Sequence, residues 1–335
     1  MLPWSRRTSE RVIRFAIEKA ARVLVIAHVD PDGDAIGSLT AVGQGLQQLG
    51  KRVTLVCDDA VPPRFQGLSL AGEIRRAPNT EVHYDLVIAV DCADQSRMGW
   101  AYDSLPDPKP TLANIDHHIT NTRFGAFNIV DPAASSTAEL LHRFLPEIGV
   151  EMTPGIAESL LTGMVTDTMG FRTTNVTAAT LRAAADLVDA GADIATITLC
   201  ALHQKPFATA RMWGIGLARM QLEDGLLWTS ISREEIQRAG LSGNSSSSGL
   251  VNFLVDVDTA VMGVVMTESD DKIRVTMRAQ PPYNVAEVAM KFGGGGHALA
   301  AGCALDGPLE QAEVRLVAAC REAIDRQRAQ TSPRA

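Results

Sequence analysis

The stretch Ala27-His28-Val29-Asp30-Pro31-Asp32-Gly33-Asp34 decides the fold. It follows Val23-Leu24-Val25-Ile26, an apolar and mostly β-branched run that reads as a buried strand. Ala35-Ile36-Gly37-Ser38-Leu39 then opens a helical pattern. A strand ends, a Pro/Gly turn follows, and a helix begins. One His and two Asp stand at that turn with the spacing His28-x3-Asp32-x-Asp34. A loop can point all three into one pocket, where imidazole and carboxylates together suit a cation. The same residues also suit an Asx-rich turn that caps a helix beside a bystander His. On this stretch alone both readings stand.

Three further apolar segments end in the same kind of residue. Leu86 to Val90 ends at Asp91, Leu112 to Ile115 ends at Asp116-His117-His118, and Leu160 to Thr166 leads to Asp167. In an open parallel α/β sheet the carboxyl ends of the strands share one edge, and ligands bind there. Coincidence accounts poorly for four such endings, so the sequence points to ligands gathered in one crevice.

The 335 residues suggest two domains, and the formal net charge of −8 argues against a basic grip on long nucleic acid. It leaves room for a short anion held by cations and a few Arg. Five cysteines, Cys57, Cys92, Cys200, Cys303 and Cys320, form no CxxC pair, which fits a reducing compartment. Ser5-Arg6-Arg7 is followed by charged residues rather than an apolar signal core, and no run is long enough to span a membrane. The expected location is the cytoplasm, away from any membrane.

Along the chain, Arg11 to Ala21 reads as an amphipathic helix, Ile36 to Leu49 as a helix stopped by Gly50, and Val53 to Cys57 as a strand. This alternation is the doubly wound α/β pattern. Ser135-Ser136-Thr137-Ala138-Glu139 carries an N-cap signal, and helices follow over Pro154 to Thr166 and Asn175 to Ala190. Ile194 to Gln221 reads as a helical connector with a break at Lys205-Pro206. Beyond it come a strand at Leu226 to Ile231, a polar loop at Asn244 to Gly249, and an antiparallel pair at Ala260 to Thr267 and Lys272 to Arg278. The pair turns at Ser269-Asp270-Asp271. A helix at Val285 to Phe292 runs into Gly293-Gly294-Gly295-Gly296-His297, and the last helix covers Leu309 to Arg328, with Thr331 to Ala335 frayed. The expected domains are residues 1–192, a doubly wound parallel sheet, and residues 223–330, a smaller α/β domain with a mixed sheet, joined by 193–222.

With these pieces placed, the sequence resembles the DHH family of phosphoesterases. His28-x3-Asp32-x-Asp34, Asp91, Asp116-His117-His118 and Asp167 match the first domain of that family in order. Arg274 to Arg278 and Gly293-Gly294-Gly295-Gly296-His297-Ala298-Leu299-Ala300-Ala301-Gly302 resemble its DHHA1 substrate domain. By length the chain is most similar to the stand-alone nanoRNase and pAp phosphatase group. Met169 stands where many relatives have Gly, and Ala279 where Ser is common.

The resemblance implies two divalent ions, usually Mn2+, with Mg2+ or Co2+ as substitutes. His28, Asp32 and Asp91 would hold one, and Asp34, Asp91, His117 and Asp167 the other, Asp91 bridging. Such ions, roughly 4 Å apart, can activate water and clamp a phosphate. His118 would face the phosphate, and Asp116 would orient a neighbouring imidazole. Arg274, Arg278, Gly294, Gly295, Gly296 and His297 would bind substrate, the glycines through bare backbone N–H groups in a nest or helix terminus; a glycine turn needed only for tight packing is the other reading. Ser135, Ser136, Arg97 and Arg172 are candidate phosphate contacts, with Ser136 equally a helix cap and both Arg residues equally surface ion pairs. His83, His142 and His203 follow no ligand spacing.

The implied activity is hydrolysis of short oligoribonucleotides to 5'-mononucleotides and of pAp to AMP and phosphate, in a gap between two domains. Cyclic di-AMP or pApA phosphodiesterase activity is the alternative, and a non-catalytic nucleotide sensor a more distant one. The glycine run with His297 speaks against a pyrophosphatase, and the acidic charge against a RecJ-type exonuclease on long DNA. Relatives often dimerise, so a homodimer is open.

Overall fold

The computed structural model describes residues 6–241, 249–269 and 272–331. The chain divides into two compact units, Met1–Gln204 and Lys205–Ala335.

In the first unit α1 (Arg6–Lys19) leads into β1 (Arg22–Ile26), α2 (Gly33–Gln48) and β2 (Arg52–Val56). Then come β3 (Leu86–Val90), the short α3 (Trp100–Asp103), β4 (Thr111–Asp116) and β5 (Phe127–Val130). The helices α4 (Thr137–Glu147), α5 (Pro154–Asp167), α6 (Ala178–Asp189) and α7 (Ile194–Thr198) follow, and a π-helical turn over Leu199–His203 ends the unit. The sheet is parallel throughout, in the order β2-β1-β3-β4-β5. Consecutive strands β1 and β2 lie side by side, but β3 returns to the other flank of β1. That reversal is the switch point at which open α/β sheets hold ligands.

The central strands are apolar runs because both their faces are covered. Val23, Val25, Ile88 and Val90 pack with residues of α1, α2, α4, α5 and α6. Leu24, Ile26, Val87 and Ala89 pack with Met98, Ala101 and Leu105 from the β3–β4 connection. Each fully buried Val, Leu or Ile stabilises the fold by about 1.5–3 kcal/mol relative to exposure.

Helices α2 and α5 run antiparallel, Gln44 Nε2 donating to Gly155 O and Ser159 Oγ at 3.3 and 3.2 Å. The start of α2, with Asp34, therefore lies beside the end of α5, with Asp167. The expected helix over Pro154 to Thr166 is α5, and Asp167 reaches the site from its C-terminus. Sequence periodicity does not reveal β5, whose Phe127 and Asn128 are only half-buried.

The second unit holds α8 (Phe207–Arg219), β6 (Gln221–Glu223), β7 (Leu226–Ile231), α9 (Arg233–Arg238) and α10 (Leu250–Val255). It continues with β8 (Met262–Glu268), β9 (Ile273–Ala279), α11 (Ala286–Lys291), β10 (Gly295–His297), β11 (Ala300–Leu305) and α12 (Leu309–Thr331). Its six strands are ordered β10-β11-β9-β8-β7-β6, mixed because β7 and β8 are parallel and the other pairs antiparallel. One face packs Val264, Met277 and Ala301 with residues of α11 and α12. The other packs Leu227 and Val265 with Met212, Ile236, Leu250 and Leu254. The expected helical stretch 194–221 is divided between the units: α7 and the π turn fall in the first and α8 in the second. The expected loop at Asn244 to Ser248, the turn residues Asp270 and Asp271, and the tail from Ser332 lie outside the described residues.

Candidate metal centre

The carboxyl edge of the first sheet gathers the His and Asp residues singled out above. Groups able to hold an ion form as His28, Asp32 and Asp91; as Asp34, His117 and Asp167; and as Asp91, His117 and His118. Asp91 joins them. Its Oδ2 lies 3.4 Å from His28 Nε2, and its Oδ1 lies 3.8 Å from His117 Nε2 and 3.7 Å from His118 Nδ1. Asp91 ends β3 with φ +60, a conformation uncommon for a non-glycine residue and costing roughly 1–3 kcal/mol. The turn presents its two oxygens to two neighbouring groups.

His28 Nδ1 lies 2.8 Å from Val29 O and 3.0 Å from the Arg97 guanidinium. The two contacts call for opposite tautomers. The one in which Nδ1–H donates to Val29 O would turn the Nε2 lone pair to a cation set between it, Asp32, 3.8 Å away, and Asp91; with no cation there, a protonated Nε2 donates to Asp91. His117 Nε2 faces Asp167 Oδ2 at 3.3 Å and Asp34 Oδ2 at 4.0 Å. It is buried without a hydrogen-bond partner. An ion with bonds of about 2.1 Å sets neighbouring ligand atoms about 3 Å apart, close to these separations.

The electrostatics run the same way. Burial pushes Asp34 well up, and Asp91, Asp167 and Asp32 add to it. Burial lifts Asp167 to about 7, aided by Asp91 and Asp32 and opposed by His117. Asp91 is held down instead: burial opposes its charge, but the hydrogen bond from His28 and the charges of His28, His117 and His118 outweigh it. For His28 burial lowers and the bond to Asp91 raises, and the rise wins. Carboxylates crowded and buried in this way favour a cation among them, which inverts the local preference for protonation. The orphaned His117 nitrogen and this donor set fit divalent cations held among these groups.

Asp116 is fully buried and does not belong to any of these groups. Its Oδ1 accepts from His118 Nδ1 at 2.7 Å, and its Oδ2 accepts from Asn121 Nδ2 at 2.5 Å. Asn121 is braced in turn by Asn114 Oδ1 and Cys92 O. The hydrogen bond to Asp116 pushes His118 up to about 9 against its burial, and Asp91 adds to the rise.

Asn121 and Thr137 escaped sequence reading. Thr137 sits in the Ser135–Glu139 capping signal, but its hydroxyl donates to Asp91 Oδ1 at 2.9 Å, a partner 46 positions away that no local pattern shows. Ser136 proves to be the cap of α4, and Ser135 donates its N–H and hydroxyl to Glu139. Both serines are fully buried and committed there, so the expected phosphate contacts are replaced by helix-end structure.

In the second unit Arg274, Thr276 and Arg278 alternate with the buried Ile273, Val275, Met277 and Ala279 of β9 and share one face. The register places His297 across Ala300 from Arg278, and Gly295 across Gly302 from Thr276. Arg274, Arg278, Gly295 and His297 thus belong to one sheet face. Gly296 pairs with Ala301 and lies on the opposite pleat. The glycine run follows the C-terminus of α11 and enters β10, so the expected helix N-terminus is absent there. A Cβ at Gly294 would fall 2.2 Å from Gly302 O, which makes that glycine a packing requirement. A Cβ at Gly295 would meet nothing within 4 Å.

A parallel sheet whose edge carries imidazoles and carboxylates, followed in the chain by a mixed sheet bearing Arg and Gly, defines a two-domain α/β protein of the DHH pattern. The chain belongs to the DHH family: the DHH family N-terminal domain matches residues 22–164, and the DHHA1 domain matches residues 242–325. It is 35% identical to the bifunctional oligoribonuclease and PAP phosphatase NrnA of Thermus thermophilus, covering 91% of this chain and 90% of that one. It is 27% identical to the Bacillus subtilis protein of the same name, over 84% and 89%. In fold it is similar to an exopolyphosphatase-related protein of Bacteroides fragilis, with a TM-score of 0.86, 22% identity and 96% of each chain covered. Among the described residues no helix is long and apolar enough to cross a membrane.

Proposed function

We propose that the chain is a metal-dependent phosphoesterase that hydrolyses short oligoribonucleotides to 5'-mononucleotides and pAp to AMP and phosphate. The observation that carries the reading is Asp91, whose two oxygens face two groups of ligating residues. The relatives named oligoribonuclease and PAP phosphatase match along nearly their whole length and supply the substrate class. A mixed imidazole and carboxylate donor set suits Mn2+ better than it resembles a thiolate zinc site or an oxygen-only Mg2+ site.

Divalent ions, when bound, lower the pKa of water and neutralise phosphate charge. The protein's own part is orientation and charge. Asp116 fixes His118 through Nδ1 and favours the protonated ring, in which Nε2 is a donor. Such a donor stabilises negative charge developing on a phosphate or on the departing ester oxygen. Arg274, Arg278, His297 and the open backbone at Gly295 offer contacts to a nucleotide's phosphates or base. The net charge of −8 favours short substrates over long strands. The free cysteines support a reducing compartment, the cytoplasm.

The test is a product assay. Mn2+-loaded protein and an Asp91→Ala control are incubated with pAp, pApA, a pentaribonucleotide and cyclic di-AMP, and products are separated by chromatography. Loss of pAp and short RNA in the wild type only is the expected result. Preferred cleavage of cyclic di-AMP moves the substrate to a second messenger, and no cleavage by folded, metal-loaded protein overturns the hydrolase reading.

A further inference from the structure

The N-terminus of α4 holds the metal centre from behind. Thr137 is fully buried and donates twice, to carboxylates on different elements. Its backbone N–H donates to Asp34 Oδ2 at 2.6 Å, and its hydroxyl donates to Asp91 Oδ1 at 2.9 Å. The N–H of Ala138 donates to Asp34 Oδ1 at 2.9 Å, so both oxygens of Asp34 are held from α4. This helix end is itself fixed. Glu139 accepts from Ser135 N and Oγ at 2.9 and 2.7 Å and from Thr180 Oγ1 at 3.0 Å, which ties α4 to α6.

A carboxylate turns about two single bonds and has several lone pairs. A hydrogen bond to one oxygen fixes its rotation and decides which lone pair remains for a cation. Asp91 and Asp34 come from the end of β3 and the start of α2; in the two-ion reading both would hold one ion, and Asp91 would reach the other as well. Thr137 is bonded to both. We propose that Thr137 is a positioning residue for the paired site: it sets the placement of Asp34 against Asp91, and with it the separation of the ions those carboxylates would hold. The proposal rests on the two-ion reading of the site.

The test uses the full chain, stripped with a chelator and titrated with Mn2+ by calorimetry. Electron paramagnetic resonance then reads exchange between neighbouring Mn2+ ions. Thr137→Val removes the hydroxyl and keeps the shape and the N–H; Thr137→Ser keeps the hydroxyl. The wild type and the Ser variant are expected to bind a coupled pair. The Val variant is expected to bind more weakly, by roughly 10–100-fold, with a diminished coupled signal. A role in packing alone would leave the coupling unchanged in folded protein. Equal affinity and equal coupling in the Val variant overturn the proposal and leave the metal site standing. A wild type that binds no pair overturns the two-ion reading and this inference with it. Should the Val variant not fold, Thr137→Ala, which leaves room for water beside Asp91, is judged by the same measurements.

Discussion

The two regions assigned to catalysis and to substrate are built differently. At the candidate metal edge several of the proposed ligands have a visible support: Thr137 for Asp91, the α4 backbone for Asp34, Val29 O for His28. Asp116 and Asn121 do the same for His118. On the β9–β11–β10 face, Arg278 donates to the carbonyl of its own neighbour Met277, Gly295 opens on empty space, and His297 is exposed. The first region is preorganised, as chemistry on a phosphate requires. The second leaves its donors to be engaged by whatever binds. Substitutions in the first should therefore act on turnover and metal affinity, and those in the second on substrate affinity.

The sharpest way to break this contrast is Asp91→Ala. It removes the residue common to both ion groups, and turnover should fall by about 10^3-fold or more, the scale seen when one member of a catalytic unit is lost. Steady-state kinetics with pAp checks it, and a loss under tenfold would end the bridging assignment. Next comes Gly163→Ala on α5. A Cβ there would fall 2.6 Å from Asp34 Oδ1 and 2.7 Å from Ala138 Cβ, so the methyl group pushes the carboxylate off its α4 donors. Overpacking of this kind costs about 1–3 kcal/mol. A lowered melting temperature together with weaker Mn2+ binding is the expected pair of results; lower stability with unchanged metal affinity would show that the Asp34 position is not critical.

The candidate ligand residues could be singled out because the segments that carry them stand where apolar runs stop, and chemistry restricts what belongs there. Their supports could not, since Thr137 reaches Asp34 and Asp91 across 103 and 46 positions. Strand β10 was hidden for another reason: Gly295-Gly296-His297 has little strand propensity and is held by pairing with β11. The helix before Asp167 was legible, and the structure buries it at Ile156, Ala157, Leu160, Leu161, Met164 and Val165. Met169, singled out as a departure from Gly, has φ +49 just past the end of α5, where a residue without a Cβ is the unstrained choice.

The substrate face supplies the next test. Arg278→Ala should raise KM for pAp by roughly 10–100-fold, the worth of a charge-assisted hydrogen bond, with a smaller change in kcat. A fall in kcat at constant KM would place Arg278 with the preorganised region instead. Gly294→Ala and Gly295→Ala sharpen the same point. The first should destabilise, because its methyl group meets Gly302 O; the second should leave the stability within about 0.5 kcal/mol of the wild type, as at open surface sites. A raised KM in Gly295→Ala would then report a ligand approaching that backbone.

The smallest effect is expected at the opposite end of the first sheet. Asp85 stands just before β3, and its Oδ2 accepts from the N–H groups of Ala21 and Arg22, both at 2.8 Å, where β1 begins. Because the strands are parallel, this clasp lies at their amino ends, away from the ligands. The bond from Arg22 and then that from Ala21 hold the Asp85 carboxyl below its ordinary value. A depressed folded-state pKa gives stability that is complete above the unfolded value of about 3.9 and is lost as pH falls through the folded value. The side chain is 38% exposed, so solvent screening limits the contribution to under about 1 kcal/mol. Asp85→Asn should therefore melt slightly below the wild type at neutral pH, and the gap should close on acidification below about pH 4. Mn2+ affinity should stay unchanged, which separates loss of stability from loss of the site. A gap that persists at low pH would mean that Asp85 acts by packing rather than by charge, and a change in metal affinity would mean that the two ends of the sheet are coupled.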